Sequence, residues 1–154
     1  MTEKTDQAAL ANEDREKVNA CMALVSASLA KLAPFNAGHK YTPDEFEPYD
    51  AFGGRFIRAV ELFLKFFRSY ERLQFAESSD TLRDQLNRME KLGLISSVSL
   101  WFDIRDVRNR IVHDYLPEKV KQIYDAMLGA FGDELKLALA RINALDLGAR
   151  EQRK

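Results

Sequence analysis

Hydrophobic side chains recur every three or four positions along most of the chain, which is the spacing of one face of an α-helix. The clearest run is Phe56, Val60, Phe63, Phe67 and Tyr70, whose steps of 4, 3, 4 and 3 make a coiled-coil-like seam. Glycine and proline are scarce, at seven and four residues, and no Asn-Gly or Asp-Gly pair marks a β-hairpin turn. The pattern therefore predicts an all-α protein.

Capping residues, prolines and glycines divide this pattern into about five helices. They are predicted at about 12–32, from 45 or 49 to 76, from a cap at 79 or 80 to a stop at 93, at about 97–115, and from 117 to near 147. The segment 34–50 holds three of the four prolines and is read as either a functional lid or a loosely held connection. Short connections elsewhere predict an up-down antiparallel bundle.

The 154 residues are most simply one domain, with a polar N-terminal extension at about 1–11 and a frayed polar tail at about 148–154. The net charge of −1 gives the whole chain no strong attraction for nucleic acid or membrane. Residues 55–110 are mildly basic, with 11 Lys and Arg against 8 Asp and Glu. Arg55, Arg58, Arg68 and Arg72 most simply form a solvated helix face, and the sharper alternative is a track for RNA.

Cysteine and histidine content limits the chemistry and the compartment. One cysteine excludes an intrachain disulfide, and two distant histidines with one cysteine cannot build a structural zinc site, so no metal and no cofactor is expected. The N-terminus lacks the apolar core of a signal peptide, and no apolar run approaches the length of a membrane span. These features predict a cytoplasmic protein without membrane association.

The fourth predicted helix carries the unusual stretch "RDVRNRIVHDY", residues 105–115. At 100° per residue Arg108 and Tyr115 fall inside the apolar arc of this helix, and Asn109 and His113 are neighbours at i and i+4. Arg108 and His113 point about 140° apart, so one straight helix does not aim them at one target. A symmetric homodimer would bring two arginines and two histidines into one cleft.

These residue types suit proton transfer beside a phosphate. A histidine titrates near neutral pH, and the fork of an arginine matches phosphate oxygens. Together, without a metal, they are what cleavage of RNA by its own 2′-hydroxyl requires, with His113 moving the proton, Arg108 stabilising the phosphate charge and Asn109 orienting. The plainer interpretation is a structural histidine near a helix end and an Arg–Asn pair used for salt bridging or capping.

The segment "RNRIVHDY" resembles the signature of HEPN-domain proteins at Arg108, Asn109, His113 and Tyr115, and the preceding "KLGLISSVSLWFDIRDV" is similar to the family's approach to that motif. The resemblance covers about 50–125 and implies a HEPN-like helical bundle. For the HepT-like toxin branch it further implies a metal-independent endoribonuclease that acts as a homodimer. It also implies an MNT-type nucleotidyltransferase antitoxin that adds AMP to the motif tyrosine, here Tyr115, which otherwise supports the site.

Two other functions are open from the sequence. Some similar HEPN proteins are non-catalytic companions of a nucleotidyltransferase, in which Arg108 and His113 would bind a nucleotide phosphate or stabilise the dimer. A helical interaction module without a ligand is the third.

Overall fold

The computed structural model describes residues 2–148 and is helical almost throughout that part of the chain, with no strand in it. The all-α prediction is confirmed. The helices are α1 (Thr2–Lys31), α2 (Pro43–Phe75), α3 (Leu82–Lys91), α4 (Val98–His113), α5 (Pro117–Leu128) and α6 (Ala130–Asn143). None of these helices is both long and apolar enough to cross a membrane.

Helix α1 begins ten residues before its predicted start. The segment expected as a polar extension forms its first turns, and Ala8 and Ala11 are buried there. Asn12 donates a side-chain hydrogen bond to the carbonyl oxygen of Ala8 (2.9 Å). Alanine side chains contribute little to a hydrophobic pattern, so these turns left no clear sign in the sequence. Alanine nevertheless favours the helical conformation, and α1 continues through these residues. The predicted frayed tail lies outside the described residues, apart from Gly148.

Helix α2 starts at Pro43, slightly earlier than predicted, because Thr42 builds a capping box. The Thr42 hydroxyl accepts from the backbone N–H of Glu45, and the Glu45 carboxylate accepts from the backbone N–H of Thr42, both at 3.2 Å. Pro43 occupies the first helical turn, where its missing N–H has no intrahelical partner to lose. The segment predicted as a long loop is therefore divided between a short connection and the first turns of α2.

The predicted fifth helix is two helices, because the chain turns sharply at Gly129. The backbone angles there (φ −103°, ψ −112°) are far from helical values. A Cβ on Gly132 would lie 2.6 Å from the carbonyl oxygen of Met127, so only glycine allows this close approach of α6 to α5. The continuous apolar stripe concealed the break.

The bundle is antiparallel, as the contacts between its two longest helices show. Asp14 on α1 accepts a hydrogen bond from Ser69 on α2, and Arg55, earlier on α2, donates to Ser28, later on α1 (2.9 Å). Helix α2 supplies much of the core, with fully buried Phe52, Phe56, Phe63, Phe66 and Phe67.

The connection between α1 and α2 is held by an aromatic cluster. Phe35 is buried and stacks on Tyr41 (ring centroids 4.7 Å apart) and on Tyr124 of α5 (5.8 Å). The Tyr49 hydroxyl donates to the carbonyl oxygen of Ala33 (2.6 Å). Lys121 donates to the carbonyl oxygen of Phe35 (3.2 Å). The connection is thus tied to α2 and α5 by both packing and hydrogen bonds.

Candidate functional site

Helix α4 carries the candidate site and is fixed at its N-terminal end. Ser97 caps it by accepting a hydrogen bond from the backbone N–H of Leu100 (3.1 Å). Ser96 donates its hydroxyl to the buried carboxylate of Glu134 on α6 (2.6 Å). Trp101 is fully buried and packs edge-on against the rings of Phe63 and Phe67 of α2. This anchoring sets which side of α4 faces the core.

The exposed side of α4 forms one wall of a groove with α2, whose volume is about 710 Å³. Its surface combines apolar and charged side chains. The apolar residues are Ile57, Val60, Leu64 and Ile104. The polar and charged residues are Glu61, Lys65, Arg68, Arg105, Arg108 and Asn109.

Arg108 lies in this groove and is 67% exposed in its side chain. Its Nη1 donates to the Glu61 Oε1 across the groove (2.7 Å). The apolar arc of α4 is narrower than the helical wheel predicted, because the buried residues are Trp101, Ile104 and Val107. The groove leaves the neighbouring side of α4 uncovered, so Arg108 meets solvent and a carboxylate instead of the core.

Asn109 also lines the groove, beside Arg108. Its Nδ2 donates to the Oδ1 of Asp106 (3.3 Å), one turn earlier on the helix. The hydrogen-bond partner of Asn109 is therefore Asp106, although the spacing had indicated His113 as its neighbour.

His113 is the last residue of α4 and is exposed. Within residues 2–148 its side chain makes no hydrogen bond or ion pair, and it is not among the residues that line the groove. Helix α4 ends here because Asp114 adopts an extended backbone (φ −95°, ψ 114°) and Pro117 follows. One chain therefore brings Arg108 and Asn109 to the groove and leaves His113 beyond it.

Tyr115 lies two residues past the end of α4 and is 83% exposed, so the prediction that it faces the apolar arc is wrong. Val112 and Leu116 beside it are 54% and 65% exposed. We call Val112, Tyr115 and Leu116 the α4-end patch. A group of large hydrophobic side chains left in solvent at one place marks a surface that is suited to contact.

Sequence reasoning missed Glu61, Lys65 and Arg105 as groove residues. No local signal in the sequence pairs Glu61 or Lys65 with α4, because both lie on α2. Of the four arginines considered as an RNA track, Arg68 alone lines the groove. Arg55 instead donates to Ser28 and to the carbonyl oxygen of Leu24 on α1.

The second histidine, His39, belongs to the connection before α2. Its Nε2 lies 2.7 Å from the Glu45 Oε2, and this contact, with the hydrogen bonds from Thr42, lowers the pKa of Glu45. Among the described residues no group of three His, Cys, Asp or Glu side chains is placed to hold a metal ion.

Comparison of the chain with protein families, with curated proteins and with solved structures finds no match. The motif residues and their places in the fold are therefore the features that bear on function.

Proposed function

We propose that this protein is a metal-independent endoribonuclease of the toxin type, acting as a homodimer in the cytoplasm. The observation that carries the proposal is the exposure of the motif. Arg108, His113 and Tyr115 all reach solvent along one side and end of α4, and none of them is used in core packing. Polar side chains on an anchored helix that the fold does not need are available for chemistry.

The proposed reaction uses the RNA's own 2′-hydroxyl as the nucleophile. His113 takes the proton from that hydroxyl, and the oxygen bonds to the adjacent phosphorus. The bond from phosphorus to the 5′-oxygen breaks, and a second His113 returns a proton to this leaving oxygen. The products are a 2′,3′-cyclic phosphate and a 5′-hydroxyl, and no metal or oxidant is consumed. The guanidinium of Arg108 stabilises the charge that develops on the phosphate.

The proposal includes a homodimer because Arg108 and His113 of a single chain do not lie together. Arg108 faces the α2–α4 groove, whereas His113 lies beyond it. A second copy related by two-fold symmetry would place its own α4 end against the first. Val112 and Leu116 of the α4-end patch offer the apolar surface on which such a contact would form, with Tyr115 at its solvent-facing edge.

Modification of Tyr115 is the proposed form of control. Its side chain is exposed, so a nucleotidyltransferase antitoxin of the MNT type has access to the hydroxyl. An added AMP would bring bulk and negative charge two residues from His113, which opposes the entry of a phosphate. After incubation with such an enzyme and ATP, mass spectrometry should find one adenylyl group on Tyr115 and none on Tyr115→Phe.

The position of His113 outside the groove favours a second candidate function. The groove is lined by Arg108 and Asn109 but not by His113, which fits a nucleotide-binding companion subunit of a nucleotidyltransferase better than an active nuclease. In that case Arg108 would hold a phosphate without turnover.

The first test is cleavage of RNA by purified, unmodified protein in EDTA. We expect the parent to cleave, and His113→Ala and Arg108→Ala each to lose at least ~10²-fold in rate, as when an acid–base or charge-stabilising group is removed. His39→Ala is the matched control, because it removes the other histidine from an exposed position.

Intact RNA after incubation with a folded, dimeric parent would reject the nuclease and favour the companion subunit. Cleavage that survives His113→Ala would reject the assigned proton transfer.

A further inference from the structure

We propose that Glu61 occupies the position of an RNA phosphate at Arg108, and that a single RNA strand binds by displacing this carboxylate and continuing along the groove past Arg105, Lys65 and Arg68. This inference rests on the proposed function, because it concerns how the same site receives its substrate. It assigns a role to Glu61, which is outside the motif and on a different helix.

The contact between Glu61 and Arg108 is of a kind that an incoming phosphate can replace. Both side chains are more than half exposed, at 55% and 67%, and exposed pairs are weak because water screens them. The pair is joined by one hydrogen bond, from Nη1, although a guanidinium carries five N–H donors. A phosphate can accept two parallel bonds from the same guanidinium and brings a further negative charge.

The remaining cations form a line that leads away from Arg108. Lys65 and Arg68 follow Glu61 by one and two turns of α2, about 6 Å and about 10 Å along its axis. Arg105 precedes Arg108 by one turn of α4. Helices α2 and α4 are antiparallel, since Gly53 approaches Ile111 whereas Phe63 packs on Trp101. The two sets of cations therefore run along the groove in the same direction.

The charge balance of the groove favours a polyanion. Four cations line it, and the opposing carboxylates are Glu61 and the buried Asp14, which lies 3.7 Å from the Lys65 Nζ. Displacing Glu61 frees Arg108, so the groove then presents four cations against the Asp14 carboxylate beside Lys65. A small anion would meet Arg108 alone and compete poorly with a carboxylate that is already in place. A strand with several phosphates engages several cations at once, and its affinity depends strongly on salt.

The apolar residues of the groove indicate a single strand. Ile57 and Leu64 lie among the cations and are partly exposed, so the groove offers some apolar surface for bases as well as charge for the backbone. Proteins that bind single-stranded nucleic acid combine a positive groove with side chains that contact unstacked bases.

The experiment measures binding of a fluorescein-labelled single-stranded RNA by anisotropy, in the His113→Ala background so that the RNA stays intact. Glu61→Gln should tighten binding about threefold to fivefold, because it frees Arg108 from an exposed pair of modest strength. In the Arg108→Ala background the same substitution should give less than a twofold change, because the group that Glu61 blocks is gone.

Lys65→Gln and Arg68→Gln should each reduce the slope of log K against log [salt] by about 0.7.

Asp125→Asn is the matched control for charge. It also removes one negative charge from an ion pair with an N–O distance of 2.7 Å, with Lys121 on α5, outside the groove. We expect Asp125→Asn to leave the dissociation constant within twofold of its parent. Equal effects of Glu61→Gln and Asp125→Asn, or a gain that persists without Arg108, would overturn the assignment of Glu61.

The outcomes separate this inference from the proposed function. Metal-independent cleavage with no specific effect of Glu61→Gln would leave the nuclease standing and reject displacement. Tighter binding by Glu61→Gln without any cleavage by the His113 parent would support displacement and reject catalysis. Loss of the dimer in Lys65→Gln or Arg68→Gln would show that the groove is an interface between copies, and it would reject the binding of an RNA strand there.

Discussion

Val112 and Ile111 are adjacent hydrophobic residues on α4 with different surroundings. Ile111 is half-buried and would lie 3.3 Å from a Cβ added to Gly53, whereas Val112 is 54% exposed. A helical wheel treats the two residues as parts of one apolar arc, because it ranks positions by angle alone. The position of α2 determines which part of the arc is covered. Because α2 leaves the Arg108 side of α4 uncovered, Arg108 reaches solvent.

Tyr49 supports a prediction about pH at the scale of one residue. Burial, with smaller effects of Tyr41 and Asp125, raises the pKa of Tyr49 to about 12, from 10.0 for an ordinary tyrosine. In the unfolded chain its hydroxyl ionises near pH 10, so between pH 10 and about 12 unfolding releases a proton. The contribution of Tyr49 to stability is therefore complete below pH 10 and is lost as the pH rises towards 12.

Urea unfolding at pH 9 and pH 11 tests this prediction. The parent should lose more free energy of unfolding between the two pH values than Tyr49→Phe, which has no hydroxyl to ionise. Tyr115→Phe is the control, because Tyr115 is 83% exposed and its removal should leave the parental pH dependence. Equal losses in the parent and in Tyr49→Phe would contradict the assigned cause.

Adjacent glycines inside α2 provide a prediction at the scale of the element. Gly53 is buried, and a Cβ on it would lie 3.3 Å from the Ile111 Cδ1 and 3.7 Å from the Tyr124 hydroxyl oxygen. Gly54 is exposed, and a Cβ on it would have no neighbour within 4 Å. Both glycines lie inside α2, which begins at Pro43 and continues through them. Gly53 allows α4 and α5 to approach α2 closely, and Gly54 does not have this function.

Chemical denaturation of Gly53→Leu and Gly54→Leu tests this difference between the two glycines. Gly54→Leu should raise the free energy of unfolding by about 0.5–1 kcal/mol, since leucine favours the helix more than glycine. Gly53→Leu should lower it by about 1–3 kcal/mol, as expected when a side chain is forced into a filled space. A stabilised Gly53→Leu protein would show that the approach of α4 to α2 is looser than described.

The proposed homodimer gives a prediction for the whole molecule. A charge in the α4-end patch should prevent two copies from meeting, because an interface buries an unpaired carboxylate only at a large free-energy cost. We expect Val112→Asp to be monomeric in sedimentation equilibrium and to lose at least ~10²-fold in RNA cleavage, since Arg108 and the partner's catalytic histidine would separate.

Leu137→Asp on α6 is the control for this test. Leu137 is 51% exposed, close to the 54% of Val112, and lies outside the motif helix. The control should keep both the dimer and the activity. If Val112→Asp remains dimeric, the α4-end patch is not the interface. If the parent is monomeric, the proposed homodimer is wrong.

The fold class, most of the helix positions and the residues of the motif could be read from the sequence alone. These follow from local rules, since the period of the apolar residues, the Ser97 cap and the flanking prolines act within a few positions of the chain. The local signal was insufficient at Gly129, where a continuous apolar stripe hides a sharp turn, and in the first turns of α1, where small alanines carry little hydrophobic weight.

The surroundings of the motif, in contrast, depend on how the helices pack. Glu61 meets Arg108 across 47 positions of sequence, because α2 and α4 pack side by side, and no spacing within either helix encodes that contact. The exposure of Tyr115 likewise follows from the end of α4 and from the absence of any described element that covers it. Side-chain identities supply the chemistry, but the partner of each charge is set by helix packing, which joins residues distant in sequence.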